Sequence, residues 1–151
     1  MKKILLSLAF IFLAGGLIET NAQTVSGSIG TVKRGGSTRG TIVMSIPGGL
    51  HVNSSRPNSE YAIPTVVKVS AVGAKVGGVS YPRGRNRKFG FSESSINVYE
   101  GRTAFNFNLT VPANFKGSVV RVRAVVRYQA CTDEVCYPPK SKEITLTAKV
   151  Q

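Results

Sequence analysis

The sequence contains two cysteines, Cys131 and Cys136, separated by the short segment Thr-Asp-Glu-Val. A pair at this spacing predicts a disulfide across the mouth of a hairpin, provided that the Cα atoms approach within about 7 Å. One interpretation is redox exchange, because a bridge at an exposed turn is open to an attacking thiolate. The alternative is a structural staple, which would contribute only about 2 kcal/mol because the closed loop is short. We favour exchange.

Charged side chains near the pair influence thiol ionisation in opposite directions. Arg127 and Lys140 favour the thiolate, which is the reactive form of cysteine. Asp133 and Glu134, inside the loop, disfavour it through like-charge repulsion. The two effects oppose each other, and Asp133 and Glu134 become candidates for contact with a partner.

Aromatic rings flank both cysteines. Tyr128 and Tyr137 either shield the sulfurs and form a contact surface or are ordinary strand residues. The rings of Tyr137-Pro138-Pro139 restrict the approach to Cys136. We therefore expect Cys131 to be the less obstructed sulfur.

His51 is the only histidine in the sequence. It has no Cys, Asp or Glu at the spacing of metal ligands, so we interpret it as a structural residue. The sequence also lacks a phosphate-binding loop, paired catalytic carboxylates and a nucleophile elbow. We therefore predict neither a metal nor a cofactor, and no hydrolase or nucleotide chemistry.

The N-terminus has the layout of a secretory signal. Met1-Lys2-Lys3 is followed by an apolar run to Leu17, and Thr20-Asn21-Ala22 offers a small-residue cleavage site. We expect residues 1–22 to be removed, leaving residues 23–151 as one domain in the periplasm or cell envelope. Disulfides persist in that oxidising compartment. No other apolar run reaches spanning length, so we expect no membrane insertion after cleavage.

The charge of the chain is strongly positive, at +13. Residues 23–151 keep 18 basic and 6 acidic side chains, a charge of +12. Export and the scattered basic positions argue against nucleic acid as a partner. We interpret the charge as a solvated surface attracted to anionic envelope surfaces, with an acidic protein partner as the alternative.

Val, Ile, Thr and aromatic residues alternate with polar residues in short runs, which predicts an all-β fold. Seven or eight strands in about 125 residues are typical of an immunoglobulin-like β-sandwich. The predicted strands are 24–32, 39–46, 65–72, 95–99, 103–111, 118–130 and 144–150, with a weaker one near 76–81. Residues 81–95 form a long, basic, Gly-containing loop of the kind that is commonly functional or mobile.

The run from Tyr128 to Pro139 resembles the active-site hairpin of the N-terminal periplasmic domain of DsbD-type thiol:disulfide interchange proteins. Four earlier segments are similar to the same family, namely 49–54, 61–65, 81–82 and 98–101. The resemblance implies an immunoglobulin-like fold. It also implies that Cys131 and Cys136 form a dithiol that takes electrons from a thioredoxin-like domain and delivers them to oxidised periplasmic partners.

In that family a loop caps the cysteine pair with an aromatic residue. Phe89 and Phe91 are the nearest matches, so we predict that residues 83–92 are a mobile cover over the hairpin. The best-known members continue into a membrane domain and a thioredoxin-like domain, whereas this sequence ends at Gln151. We expect partners to be separate thioredoxin-like envelope proteins and a separate membrane thiol reductase. The alternative is a non-enzymatic envelope binding module with a structural disulfide.

Overall fold

The computed structural model describes residues 22–151, so residues 1–21 of the predicted signal lie outside the described residues. The described part contains eleven strands and no helix, which confirms the all-β prediction. Accordingly, it offers no helix with the length and hydrophobicity required to cross a membrane. The strands are β1 (Thr24–Ile29), β2 (Ser37–Ser45), β3 (His51–Asn53), β4 (Val66–Ala71), β5 (Lys75–Val76), β6 (Arg85–Arg87), β7 (Ile96–Tyr99), β8 (Arg102–Thr110), β9 (Val119–Tyr128), β10 (Ala130–Cys131) and β11 (Lys140–Lys149).

The strands form three antiparallel sheets, with the orders β1-β2-β8-β5, β10-β3-β7-β6 and β11-β9-β4. Side chains from β2, β8, β9 and β11 share one hydrophobic core, as expected when two sheets pack face to face. This arrangement is an immunoglobulin-like fold. The predicted strands correspond to β1, β2, β4, β7, β8, β9 and β11, whereas the short strands β3 and β6 were not predicted.

Strand β9 supplies much of the core through strict alternation. Its exposed face carries Arg121, Arg123 and Arg127. Side chains on a strand point alternately to its two faces, so the same strand is apolar inside and cationic outside. The buried residues of β9 are Val120, Val122, Ala124, Val126 and Tyr128.

Strand β8 repeats the pattern with three buried side chains, Phe105, Phe107 and Leu109. Phe107 lies directly opposite Gly40 of β2. A Cβ atom at position 40 would lie 2.2 Å from Cζ of Phe107. The close approach of the ring to the backbone therefore requires glycine at this position.

The chain changes sheets after Tyr128. The sequence predicted one strand over 118–130, but β9 ends at Tyr128 and Ala130–Cys131 forms the separate strand β10. β10 pairs with β3, so that Ala130 lies opposite Val52 and Cys131 opposite His51. This switch carries the first cysteine away from the main core and into the sheet of β3, β7 and β6.

The basic segment 81–95 is partly ordered into a strand, in contrast to the predicted loop. Within it β6 pairs with β7 through Arg85, Asn86 and Arg87. The next residues form a small separate cluster in which Phe89 packs with Ile96 and Val98. The segment is thus anchored to the cysteine-bearing sheet at its centre.

Candidate functional site

Cys131 and Cys136 form a disulfide, and their Cα atoms lie 4.0 Å apart. The two residues also form an isolated antiparallel bridge. Backbone hydrogen bonds from Thr132 N–H to Val135 O (2.8 Å) and from Tyr137 N–H to Ala130 O (2.8 Å) hold the two arms together. The predicted hairpin disulfide is therefore present.

Thr132 fixes the conformation of the loop between the cysteines. Its Oγ1 atom accepts hydrogen bonds from the backbone N–H groups of Glu134 (3.2 Å) and Val135 (3.0 Å). A threonine side chain that binds backbone groups two and three residues ahead stabilises a turn locally. These hydrogen bonds therefore stabilise the turn in addition to the disulfide.

The two cysteines differ sharply in exposure. Cys131 is 0% exposed, because it lies within β10 and pairs with β3. Cys136 is exposed and lies at the edge of the turn. The expectation that Cys131 is the less obstructed sulfur is therefore wrong. The rings of Tyr137 and Pro138 leave Cys136 exposed.

His51 lies on the buried side of the disulfide. It is 2% exposed and directly opposite Cys131 in the pairing of β3 with β10. Its Nε2 atom is one of two buried side-chain polar atoms within residues 22–151 that lack a hydrogen-bond partner; the other is the Tyr128 hydroxyl. An unsatisfied buried polar group costs about 1–3 kcal/mol. The position of this imidazole therefore calls for an explanation.

Burial sets the ionisation of His51. Desolvation lowers the pKa of His51 from its ordinary value of 6.5. Asp133 and Glu100 act in the opposite direction through their negative charges, while Arg87 adds to the lowering. Burial is the largest of these effects, so the imidazole is neutral at pH 7.

The two predicted cap residues occupy different environments. Phe89 is 4% exposed and stacks on His51, with ring centroids 4.2 Å apart. Phe91 is 45% exposed and stacks on the outer side of Phe89 at 5.3 Å. The stack runs from the buried imidazole to the surface, so Phe89 covers His51 and Phe91 forms the exposed end of the stack.

Arg87 connects the cover to the cysteine loop. Its guanidinium lies 5.6 Å from the centroid of the Phe89 ring and forms an ion pair with Glu100. Nη2 of Arg87 also lies 3.7 Å from Oδ1 of Asp133. Asp133 thus contacts the cover, whereas Glu134 is exposed and forms none of the ion pairs within residues 22–151.

The two predicted tyrosines are separated by the structure. Tyr128 is 1% exposed and belongs to the core, so it contributes nothing to a contact surface. Tyr137 is 45% exposed beside Cys136. Its backbone carbonyl accepts a hydrogen bond of 3.3 Å from Nε2 of Gln129.

Cys136 opens onto a cleft of about 230 Å³. Tyr61, which is 87% exposed, and Phe91 line this cleft. Val135 (55% exposed) and Tyr137 adjoin Cys136 in the sequence. The exposed cysteine is therefore surrounded by large apolar side chains, an arrangement typical of a protein-binding surface.

Sequence reasoning missed three of the residues that meet here: His51, Arg87 and Tyr61. The alternation of Leu50, His51 and Val52 after a glycine turn is a strand signal, but it is only three residues long. No local pattern shows which strand it pairs with. Within residues 22–151 no group of three or more potential metal ligands occurs.

Residues 24–148 match the family model described as "Thiol:disulfide interchange protein DsbD, N-terminal". The reduced N-terminal domain of Neisseria meningitidis DsbD is similar in structure, with a TM-score of 0.50, 19% identity and coverage of 82% of this chain and 84% of that chain. The N-terminal periplasmic domain of Proteus mirabilis ScsB gives a TM-score of 0.56 at 11% identity, with coverage of 88% and 48% respectively. No curated protein matches the chain.

The stacked cover predicts unequal protection of the reduced cysteines. Phe89→Ala is expected to speed alkylation of Cys131 by iodoacetamide about tenfold or more. The buried ring contributes several kcal/mol to the stability of the closed cover, and a loss of about 1.4 kcal/mol is enough for a tenfold change in rate. Phe91→Ala is the matched control, and it should leave the rate at Cys131 nearly unchanged. Mass spectrometry of the alkylated peptides separates the two cysteines. Equal Cys131 rates in both variants would contradict the assignment of Phe89 as the cover.

The lowered pKa of His51 predicts a pH-dependent stability. Between the lowered pKa of the folded state and 6.5, the unfolded imidazole binds a proton while the folded one stays mostly neutral, so protonation favours the unfolded chain. The free energy of unfolding should fall by up to about 1.4 kcal/mol per pH unit in this window and recover as the pH rises above 6.5. Urea unfolding of the oxidised protein and of His51→Gln at pH 5.5 and 7.5 measures the difference. Identical pH dependence of the two proteins would refute the prediction.

Proposed function

The chain belongs to the family of the N-terminal domain of the thiol:disulfide interchange protein DsbD, and on that premise we propose that it passes electrons through Cys131 and Cys136 to or from thioredoxin-like proteins. The observation that carries the proposal is the asymmetry of the pair. One sulfur belongs to an exposed residue in an apolar cleft, and the other is buried beside a covered imidazole. A purely structural bridge has no need of this difference.

Cys136 is the cysteine that meets the partner. In the reduced domain its thiolate attacks a sulfur of the partner disulfide, which forms a mixed disulfide and releases one partner thiolate. Cys131 then loses its proton and attacks the Cys136 sulfur. This step closes the Cys131–Cys136 disulfide and releases the second partner thiolate, so two electrons pass to the partner. The reverse sequence reduces the domain.

The surface around Cys136 supports recognition of a folded protein. Tyr61, Phe91, Val135 and Tyr137 provide exposed apolar area around the reacting sulfur. Large aromatic side chains in such positions dominate many protein interfaces. A thioredoxin-like partner therefore needs an apolar surface next to its own reactive cysteine.

The proposed setting is the periplasm. Residues 1–22 direct export and are then removed, and a membrane thiol reductase supplies or removes electrons. An oxidising compartment favours the disulfide, so the pair turns over only if a partner reduces it back to the dithiol. Coupling to such partners is what separates this function from that of a binding module with a permanent disulfide.

The asymmetry predicts which variant traps a partner. Cys131→Ser leaves the exposed Cys136 without its resolving thiol, so the mixed disulfide accumulates. Cys136→Ser leaves only the buried cysteine, and we expect about tenfold less adduct because attack then requires local opening. Non-reducing electrophoresis of envelope extracts containing a thioredoxin-like protein measures the adducts.

The double variant Cys131→Ser/Cys136→Ser is the control for non-covalent association and should give no reducible adduct. More adduct from Cys136→Ser than from Cys131→Ser would reverse the assignment of the attacking cysteine. Absence of any reducible adduct from both single variants would favour the binding module.

The small loop also predicts a reversible redox cycle. Reduction should leave the protein folded and lower its stability by only about 2 kcal/mol, since most of the main core comes from other strands and the loop is short. The reduction potential should lie above about −300 mV, the usual upper bound for structural disulfides. Equilibration with glutathione or dithiothreitol and a thermal melt of the reduced form test both statements. A potential below that bound would indicate a staple.

A further inference from the structure

A basic nitrogen atom lies beside the buried half of the disulfide, and the exchange steps described above do not use it. Nε2 of His51 is buried without a hydrogen-bond partner, and Cys131 lies directly opposite in the β3–β10 pairing. Directly opposed side chains of an antiparallel pair have Cβ atoms about 4.5–5.5 Å apart. The imidazole and the sulfur are therefore neighbours on one face of the sheet.

We propose that His51 takes the proton from the Cys131 thiol when the disulfide closes and returns it when the disulfide opens. This inference rests on the proposed interchange function and names the group that manages its buried proton. His51 acts on a reacting sulfur and so is a catalytic residue for the resolving step. The sequence alone predicts only a structural role for His51.

Burial makes such a group necessary. Cys131 is 0% exposed, so water has no direct access to its thiol. Burial also disfavours the thiolate, and only the thiolate attacks a disulfide. Even an unperturbed thiol with a pKa of about 8.5 is only about 3% ionised at pH 7. A base next to the sulfur removes this obstacle.

The unpartnered nitrogen fits the oxidised state. A disulfide sulfur has no proton to donate and is a weak acceptor, so it offers the imidazole little. In the dithiol the Cys131 S–H group is a donor, and a neutral imidazole nitrogen accepts from it. The same nitrogen is therefore unpartnered in the disulfide and gains a donor in the dithiol.

The proton balance of the step is complete. While the mixed disulfide joins Cys136 to the partner, the Cys131 thiol gives its proton to His51 and the new thiolate attacks the Cys136 sulfur. The Cys131–Cys136 bond forms as the Cys136–partner bond breaks, and the electron pair leaves with the partner thiolate. The imidazolium then gives its proton to that thiolate or to water.

The surroundings suit both forms of the imidazole. Burial and Arg87 keep it neutral before the step, so it is ready to accept a proton. Asp133 and Glu100 face it with negative charge, which stabilises the transient imidazolium. The stacked Phe89 ring favours a cation as well. Asp133 comes from the cysteine loop, Arg87 and Phe89 from the cover, and Glu100 directly follows β7, so the base lies among elements that surround the disulfide.

The test separates the two exchange steps with a small aromatic disulfide, 5,5′-dithiobis(2-nitrobenzoate), as the probe. The reduced protein should release one thionitrobenzoate when Cys136 attacks and a second when Cys131 closes the bridge. At pH 7 His51→Gln is expected to slow the second release about 10- to 100-fold and to leave the first within about twofold. Stopped-flow absorbance follows both.

The pH profile distinguishes a base from a structural residue. In the unmodified protein the second rate should rise as the imidazole loses its proton and level off above about pH 7, whereas in His51→Gln it should keep rising through pH 8. The matched control is Tyr128→Phe, which removes the other unpartnered buried polar atom and leaves its ring in the core. It should keep the profile of the unmodified protein.

Each remaining outcome counts against a stated claim. A second release with the same rate and pH profile in His51→Gln overturns the role of His51 and leaves the interchange function standing. The role of His51 is also overturned if the second rate of the unmodified protein does not level off above about pH 7. This measurement does not depend on how the variant folds. A single release from the unmodified protein shows that the pair does not close by exchange, which overturns the proposed function as well.

Discussion

The pairing of β10 with β3 is the constraint on which the site depends. It is only two residues long, yet it determines that Cys131 lies inside the sheet and opposite His51. The turn held by Thr132 then brings Cys136 back beside Cys131 at the surface. A disulfide with one buried and one exposed end follows directly from these two local structures. It allows a partner to attack one sulfur while the other is protected.

The protein separates the support of its fold from its chemistry. The main core is built mostly by β2, β8, β9 and β11, and the cysteine-bearing sheet adds Val52, Tyr99 and Ala130 to it. The site itself is built on that short sheet and on a small cluster around Phe89. Changes in the disulfide therefore act on a peripheral element. Such an arrangement lets a bond form and break without loss of the packed interior.

The charges are distributed in a way that suits this division. The exposed face of β9 carries Arg121, Arg123 and Arg127, whereas the tip of the cysteine loop carries Asp133 and Glu134. Arg87 contacts the Phe89 ring and lies near Asp133, so it links the tip of the cysteine loop to the segment that carries Phe89. A partner that approaches Cys136 thus meets an acidic and apolar tip on a strongly cationic domain. Long-range attraction and local fit are consequently set by different residues.

The sequence by itself determined the features that depend on neighbouring residues. Period-2 alternation identified β8 and β9 with their buried and exposed faces, and the cysteine spacing predicted the hairpin disulfide. The aromatic pair Phe89 and Phe91 was singled out by the family resemblance, which did not distinguish the burial of its two members. The alternation and the cysteine spacing are each contained within a dozen residues, where side-chain direction follows from the backbone alone.

The tertiary structure alone decided which cysteine is buried and what lies beside it. His51 and Cys131 are 80 residues apart in the chain, and their juxtaposition depends on a two-residue strand that leaves the long strand at Gln129. A shift of one residue in that pairing would turn the sulfur to the opposite face of the sheet. Burial of Cys131, the stack of Phe89 on His51 and the approach of Arg87 to Asp133 are all contacts between distant segments. Local patterns predict none of them, because the hydrogen-bond register between separate strands is fixed only when the whole sheet assembles.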